Sequence, residues 1–129
     1  MKIALIASAA LLALAAPAIA GDAAKGEDLF KKCKSCHMIV APDGTEIQKG
    51  GKTGPNLYGV VGHTAGKVDG FKYSKALAAA DFVWDEAKIA EFVVDPKAFL
   101  GDKSKMTFKL KKGGEDVAAY LASVGPKSE

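Results

Sequence analysis

The chain contains no arginine, and all 18 of its cationic side chains are lysines. Reading phosphates and base edges relies on arginine's bidentate fork, and the formal net charge is only +3. A nucleic-acid binder is therefore not expected. Two cysteines are too few for a disulfide framework. A single bridge between Cys33 and Cys36 would close a very small loop and stabilise little, so the thiols need another role. No long hydrophobic run follows residue 20, which excludes a membrane-embedded catalyst. The composition, 49% hydrophobic, also excludes a disordered tail. No stretch alternates polar and apolar residues well enough to predict a strand. The length of 129 residues leaves room for one domain.

The first twenty residues differ in kind from the rest. Met1-Lys2 supplies a positive start, residues 3 to 20 are apolar apart from Ser8, and Ala18-Ile19-Ala20 follows the helix breaker Pro17. This is the pattern of a secretory leader cut after a small-x-small site. Cleavage after Ala20 would leave residues 21–129 as the exported domain, with 17 lysines against 15 acids. The alternative is a retained anchor. Its eighteen residues, mostly weakly apolar alanine, barely span a bilayer, and no charged stop-transfer segment follows.

Helical patterns dominate what remains. A first helix is predicted over residues 22–36, with Asp22 as N-cap and Lys31, Lys32 and Lys34 late, as the helix dipole prefers. YSKALAAA (residues 73–80) is a weaker candidate. A third helix begins at Asp85 and carries Ile89, Phe92 and Val93 on one face until Pro96 stops it. The last follows Gly113-Gly114, with Val117, Tyr120, Leu121 and Val124 at helical spacing, and ends at Gly125-Pro126. Between the first two lie 35 residues, Met38 to Lys72, without a periodic element. So long an irregular segment is reasonable if it wraps a large apolar body that the chain does not itself supply.

Cys33-Lys34-Ser35-Cys36-His37 has the spacing C-x-x-C-H of haem c attachment. Two thiols add across the two vinyl groups of one porphyrin, and the adjacent histidine becomes an axial ligand of the iron. A structural zinc would need four Cys/His ligands; Cys33, Cys36, His37 and His63 would all be consumed, without finger-type spacing. A redox dithiol would expect a βαβ context that is absent here. For the sixth ligand the candidates are Met106 and His63. Met38 directly follows His37, is tied to its side of the ring, and is expected to pack. Met106 lies 69 residues beyond His37, in the irregular KAFLGDKSKMTFKL. A thioether favours ferrous iron and raises the potential, whereas bis-histidine ligation gives a lower one.

CKSCH, Lys52-TGPNLYGVVG, Gly70-FKYS, Trp84-DE, Asp95-Pro96 and Lys105-Met106-Thr107-Phe108 occur in this order over essentially the whole chain after residue 20. In this the sequence resembles the class I c-type cytochromes, and most closely the bacterial c2 and c550 group with its APDGTEIQKGG-type loop. The resemblance implies an all-α fold of short helices and long loops wrapped around one haem c, attached through Cys33 and Cys36, with His37 and Met106 as iron ligands. It implies that the Pro55 carbonyl accepts the N–H of His37, that Tyr73 and Trp84 hydrogen-bond a haem propionate, and that Phe108 stands beside the exposed haem edge. Gly26 and Phe30 would pack against Val117 and Tyr120. The implied function is a monomeric, soluble periplasmic electron carrier, not an enzyme, running from a cytochrome bc1 complex to a photosynthetic reaction centre or terminal oxidase.

Two positions depart from the family pattern. His63 stands where the family usually has an arginine near the inner propionate, which predicts a midpoint potential that varies across neutral pH. Phe92 replaces a tyrosine whose hydroxyl usually approaches the methionine sulfur, so that hydrogen bond is expected to be missing. Charge is uneven as well. Residues 81–95 carry Asp81, Asp85, Glu86, Glu91 and Asp95 against Lys88 alone. Residues 97–112 carry Lys97, Lys103, Lys105, Lys109, Lys111 and Lys112 against Asp102 alone. With Lys31, Lys32 and Lys34 these are expected to ring the haem edge and to steer docking onto acidic faces of membrane redox complexes. A small haem peroxidase or a haem-based gas sensor would need open iron, which Met106 opposes.

Overall fold

The computed structural model describes residues 21–126; the predicted leader lies outside them. Helix α1 (Ala23–Leu29) starts where Asp22 accepts the amides of Ala24 and Lys25, at 3.0 and 3.2 Å. It tightens into a 3-10 turn over Phe30–Lys32. Turns then carry the chain onward, with the amides of Cys36 and His37 both donating to the Cys33 carbonyl. The first helix is thus shorter than predicted, because its last stretch becomes the turn that holds the cysteines.

The long irregular segment contains a small element the sequence did not signal. Strands β1 (Ile39–Val40) and β2 (Glu46–Gln48) pair antiparallel, with an irregular register between Ile39 and Val40. This corrects the expectation of no strand: two and three residues are too few for alternation to be visible. Gly44 makes the turn at φ +90°, its amide donating to the Ala41 carbonyl at 2.9 Å. Helix α2 (Lys75–Ala78) is one turn long, and the Ser74 hydroxyl accepts the Leu77 amide.

Helix α3 (Glu86–Val94) starts one residue after the predicted start, Asp85, which caps it by accepting the Lys88 amide at 2.7 Å. The segment after it is not wholly irregular, as expected, but opens with α4 (Pro96–Leu100). Pro96 keeps Asp95 extended and so ends α3, yet it is also well suited to the first position of a new helix. Asp95 caps that helix by accepting the Ala98 amide at 3.1 Å. Gly101, at φ +68°, closes it.

Helix α5 (Gly114–Val124) packs on both α1 and α3. Its buried stripe, Val117, Ala118, Tyr120 and Leu121, forms the core with Phe30, Ile39, Ala65, Trp84, Ile89 and Leu110. Phe30 meets Tyr120 with ring centroids 5.8 Å apart. Where α1 crosses α5 there is no space for a side chain on Gly26: a Cβ would fall on the Asp116 carbonyl and against the Tyr120 Cβ. Gln48 donates to the Tyr120 hydroxyl at 2.9 Å and ties the hairpin to the same crossing. The contacts expected of Gly26 and Phe30 with Tyr120 are therefore formed. Overpacking of this kind costs about 1–3 kcal/mol. Gly26→Ala should lower the denaturation midpoint accordingly, and an unchanged midpoint would mean that the two helices can part without loss.

Candidate functional site

One wall of the site is built from the turn after α1. Cys33 and Cys36 are not joined in a disulfide, and both face a cavity together with His37. Burial pushes the Cys33 thiol up, and the neighbouring Cys36 adds to this. His37 is 9% exposed. Burial holds its pKa below the usual histidine range, against the opposing pull of the Pro55 carbonyl. Its Nδ1 lies 2.9 Å from that carbonyl, which can only accept, so Nδ1 carries the proton and Nε2 keeps a free electron pair. A neutral imidazole with a fixed tautomer is what a metal requires of a histidine ligand.

The segment from Gly50 to Leu57 is fastened to this wall by its backbone. The amides of Gly51, Gly54 and Leu57 donate to the carbonyls of Lys34, Cys36 and Met38 at 2.8, 2.7 and 3.0 Å. Asn56 adds a clamp to β1, accepting the Val40 amide and donating to the Val40 carbonyl. Gly54 lies so close to the imidazole that a Cβ would overlap the ring of His37. Neither Gly54 nor Asn56 stood out from the sequence. The only signal was their place in TGPNLYG, where a glycine and an asparagine flank the proline.

The remaining walls come from distant parts of the chain. Trp84 is 7% exposed and sits in an aromatic cluster with Phe82, Phe92 and Phe99, its ring centroids 4.9, 5.1 and 5.8 Å from theirs. Phe82 and Phe99 were not anticipated. Phe92 lines the cavity and carries no hydroxyl. Tyr73 stacks edge-on with Phe71 and accepts the Val68 amide at 3.1 Å. Burial keeps its phenol up and therefore protonated, so its own O–H remains a donor. Met106 is half-buried, with its amide held by the Ser104 hydroxyl at 3.1 Å. Next to it, Lys105 donates to the Lys72 carbonyl at 2.7 Å. Phe108 is 41% exposed. His63 is exposed at the rim, with Nδ1 3.0 Å from the Thr64 carbonyl, and its backbone carbonyl accepts the Trp84 amide.

All eight residues expected at the site line this one cavity: Cys33, Cys36, His37, Pro55, Tyr73, Trp84, Met106 and Phe108. Met38 does not. The cavity measures about 270 Å³ and its walls are mainly apolar. A flat apolar group carrying an iron fits the walls: two thiols, an imidazole with its pair free, a thioether and aromatic faces surround it. A four-ligand metal site does not fit, since no cluster of three or more His, Cys, Asp or Glu side chains able to hold a metal occurs among the described residues.

The lysines fall into groups more sharply than the sequence implied. Lys32 and Lys105 line the cavity itself. Lys97, Lys103 and Lys109 line an adjoining groove that shares Ser104, Met106 and Thr107 with it. Lys109 pairs with Asp95 at 3.3 Å, and Lys31 with Asp28 at 2.7 Å. Among the described residues no helix is long and apolar enough to cross a membrane.

No family model matches the chain. It is 63% identical to cytochrome c2 of Rhodobacter capsulatus over 135 residues, covering 96% of this chain and 98% of that protein. It is 55% identical to cytochrome c-550 of Paracoccus versutus, covering 98% and 91%. Among solved structures, Rhodobacter capsulatus cytochrome c2 matches at a TM-score of 0.80 with 61% identity, covering 81% of this chain and 98% of that one. The cytochrome c2 isolated from Paracoccus denitrificans matches at 0.79 with 53% identity, covering 82% and 98%. With the thiols, the imidazole and the cavity already in place, the chain belongs to the class I c-type cytochromes of the c2 and c-550 group, electron carriers with one haem c attached here through Cys33 and Cys36.

Proposed function

We propose that the chain, cut after Ala20, works in the periplasm as a one-electron shuttle with His37 and Met106 as its iron ligands. Its donor is a cytochrome bc1 complex and its acceptor a photosynthetic reaction centre or terminal oxidase. The observation that carries this reading is that His37 and Met106, remote in sequence, line one cavity with both thiols. Haem c, when bound, supplies an iron that changes charge by one unit while its ligands stay in place.

The chain's residues do the rest. Pro55 and Gly54 hold the His37 ring in one orientation. Ser104 and Lys105 hold the Met106 segment. Tyr73 and Trp84 offer an O–H and an N–H for a propionate. Phe108 leaves an apolar face at the surface, and Lys97, Lys103 and Lys109 line the groove beside Met106 with Asp95 and Asp102. A saturated iron without acid–base groups around a substrate pocket suits transfer of an electron rather than catalysis. Small, short-lived interfaces suit a shuttle.

The ferric holoprotein should show the near-infrared charge-transfer band of iron–methionine ligation, and the ferrous form should not bind carbon monoxide. Met106→Ala should abolish the band and admit carbon monoxide; a wild type lacking the band would remove Met106 as ligand and bring back His63. Lys103→Glu should slow reduction by isolated bc1 complex about tenfold at low salt, because steering of this kind contributes 10- to 10³-fold. The difference should vanish near 1 M salt, where the Debye length is about 3 Å. A loss that is independent of salt would count against steering. The midpoint potential should fall with rising pH across neutrality, by no more than about 59 mV per unit for one electron and one proton. His63→Arg should flatten that slope, and an unaltered slope would free His63 of the role.

A further inference from the structure

The starts of α1 and α5 meet at the residue where the leader is expected to be cut. Gly21 is half-buried against the first turn of α5, and a Cβ there would fall on the Glu115 carbonyl and within 2.6 Å of the Asp116 amide nitrogen. The next residue, Asp22, donates its amide to Asp116 Oδ1 at 2.8 Å. The carboxylate of Asp22 is directed inward along α1, to the amides of Ala24 and Lys25. Asp116 is therefore the carboxylate that faces the chain entering α1.

We propose that cleavage of the Ala20–Gly21 bond creates a structural ion pair, in which the new α-ammonium of Gly21 pairs with Asp116 and fastens α1 to α5. This rests on the reading that the leader is removed after Ala20. A peptidase of the export machinery adds water across the peptide bond: hydroxyl goes to the Ala20 carbonyl carbon and a proton to the Gly21 nitrogen. The new Ala20 carboxyl group gives up a proton and the amine takes one up, so an uncharged amide becomes an ammonium at neutral pH. Its nitrogen is one peptide unit from an amide 2.8 Å from Oδ1, so it lies at most about 7 Å from that oxygen. That is inside the Debye length of about 8 Å at physiological salt.

The local charges decide the sign. Opposing the ammonium are the positive ends of α1 and α5, worth about half a charge each, and Lys25 in α1. Favouring it are the carboxylates of Asp116 and Glu115 on α5 and of Asp22 beside it. Three full negative charges outweigh one full and two partial positive ones. The pair is near the surface, so its effect is modest. Exposed ion pairs shift a folding equilibrium by about two- to fivefold.

An ammonium that gains a partner on folding has its pKa raised. Its stabilisation is complete below the unfolded value of about 7.7–8.0 and is lost as pH rises through the folded one. The intact mass of holoprotein taken from the periplasm reports whether Gly21 is the first residue. If the leader is still present, the cleavage reading fails, and the ion pair fails with it. With Gly21 first, selective acetylation of the α-amine should lower the folding equilibrium constant about two- to fivefold at pH 6.5. The loss should disappear at pH 10. It should also disappear in Asp116→Asn, which keeps the acceptor for the Asp22 amide but not the charge. No loss on acetylation, or an equal loss in Asp116→Asn, would overturn the pair while leaving the cleavage reading intact.

Discussion

A small chain cannot leave a large apolar void at its centre, and most features of this fold follow from that constraint. The residues that α1, α3 and α5 turn inward do not meet one another everywhere. Phe30, Ile89, Val117 and Leu121 belong to the core and also line the cavity. Covalent haem makes those surfaces interior ones, and the long loops become economical for the same reason. A loop without periodic structure needs partners for its backbone and an apolar surface to lie on. Here the stretch from Gly50 to Leu57 finds the first in three carbonyls of the cysteine segment and the second in the cavity.

That fastening also leaves the histidine side of the site enclosed and the methionine side held at fewer points. His37 is enclosed: Pro55 fixes its tautomer, and Gly54 leaves no room for the ring to turn. Met106 is held at its backbone by Ser104, and the adjoining Lys105 makes one hydrogen bond, to the Lys72 carbonyl. In the proposed ligand set, His37 is thus the enclosed member and Met106 the one held through its backbone alone.

What the sequence revealed depended on how local each signal was. Helices α1, α3 and α5 were legible because Asp22 and Asp85 are caps and the apolar residues of α3 and α5 recur at helical spacing. C-x-x-C-H was legible because attachment chemistry fixes its spacing. The hairpin at Ile39–Gln48 was invisible, since its strands owe their pairing to Asn56 and Tyr120, 16 and 72 residues away from their partners. Helix α4 was hidden because Pro96 was read only as a stop, whereas Asp95 lets the same proline begin a helix. Gly54 and Lys105 act through close approach to residues far along the chain, and nothing in their immediate neighbours announces that. Family resemblance gathered Tyr73, Trp84 and Phe108 where periodicity could not, because their common property is the cavity rather than any local pattern.

The lysines show how placement alters the meaning of composition. A run of six in residues 97–112 suggests one uniform patch, but the structure separates their roles. Lys105 is committed to the Lys72 carbonyl, and Lys109 shares its charge with Asp95. The ammonium groups of Lys97 and Lys103 have no carboxylate within 4 Å among the described residues. Their charge projects from the same short segment that carries Met106. In the proposed docking, an acidic surface meets these charges beside Met106. Attraction there should remain weak, because strong pairing with Lys105 would compete with its bond to the Lys72 carbonyl. A carrier that must release its partner as readily as it finds it gains from charges that steer at a distance and form few lasting contacts.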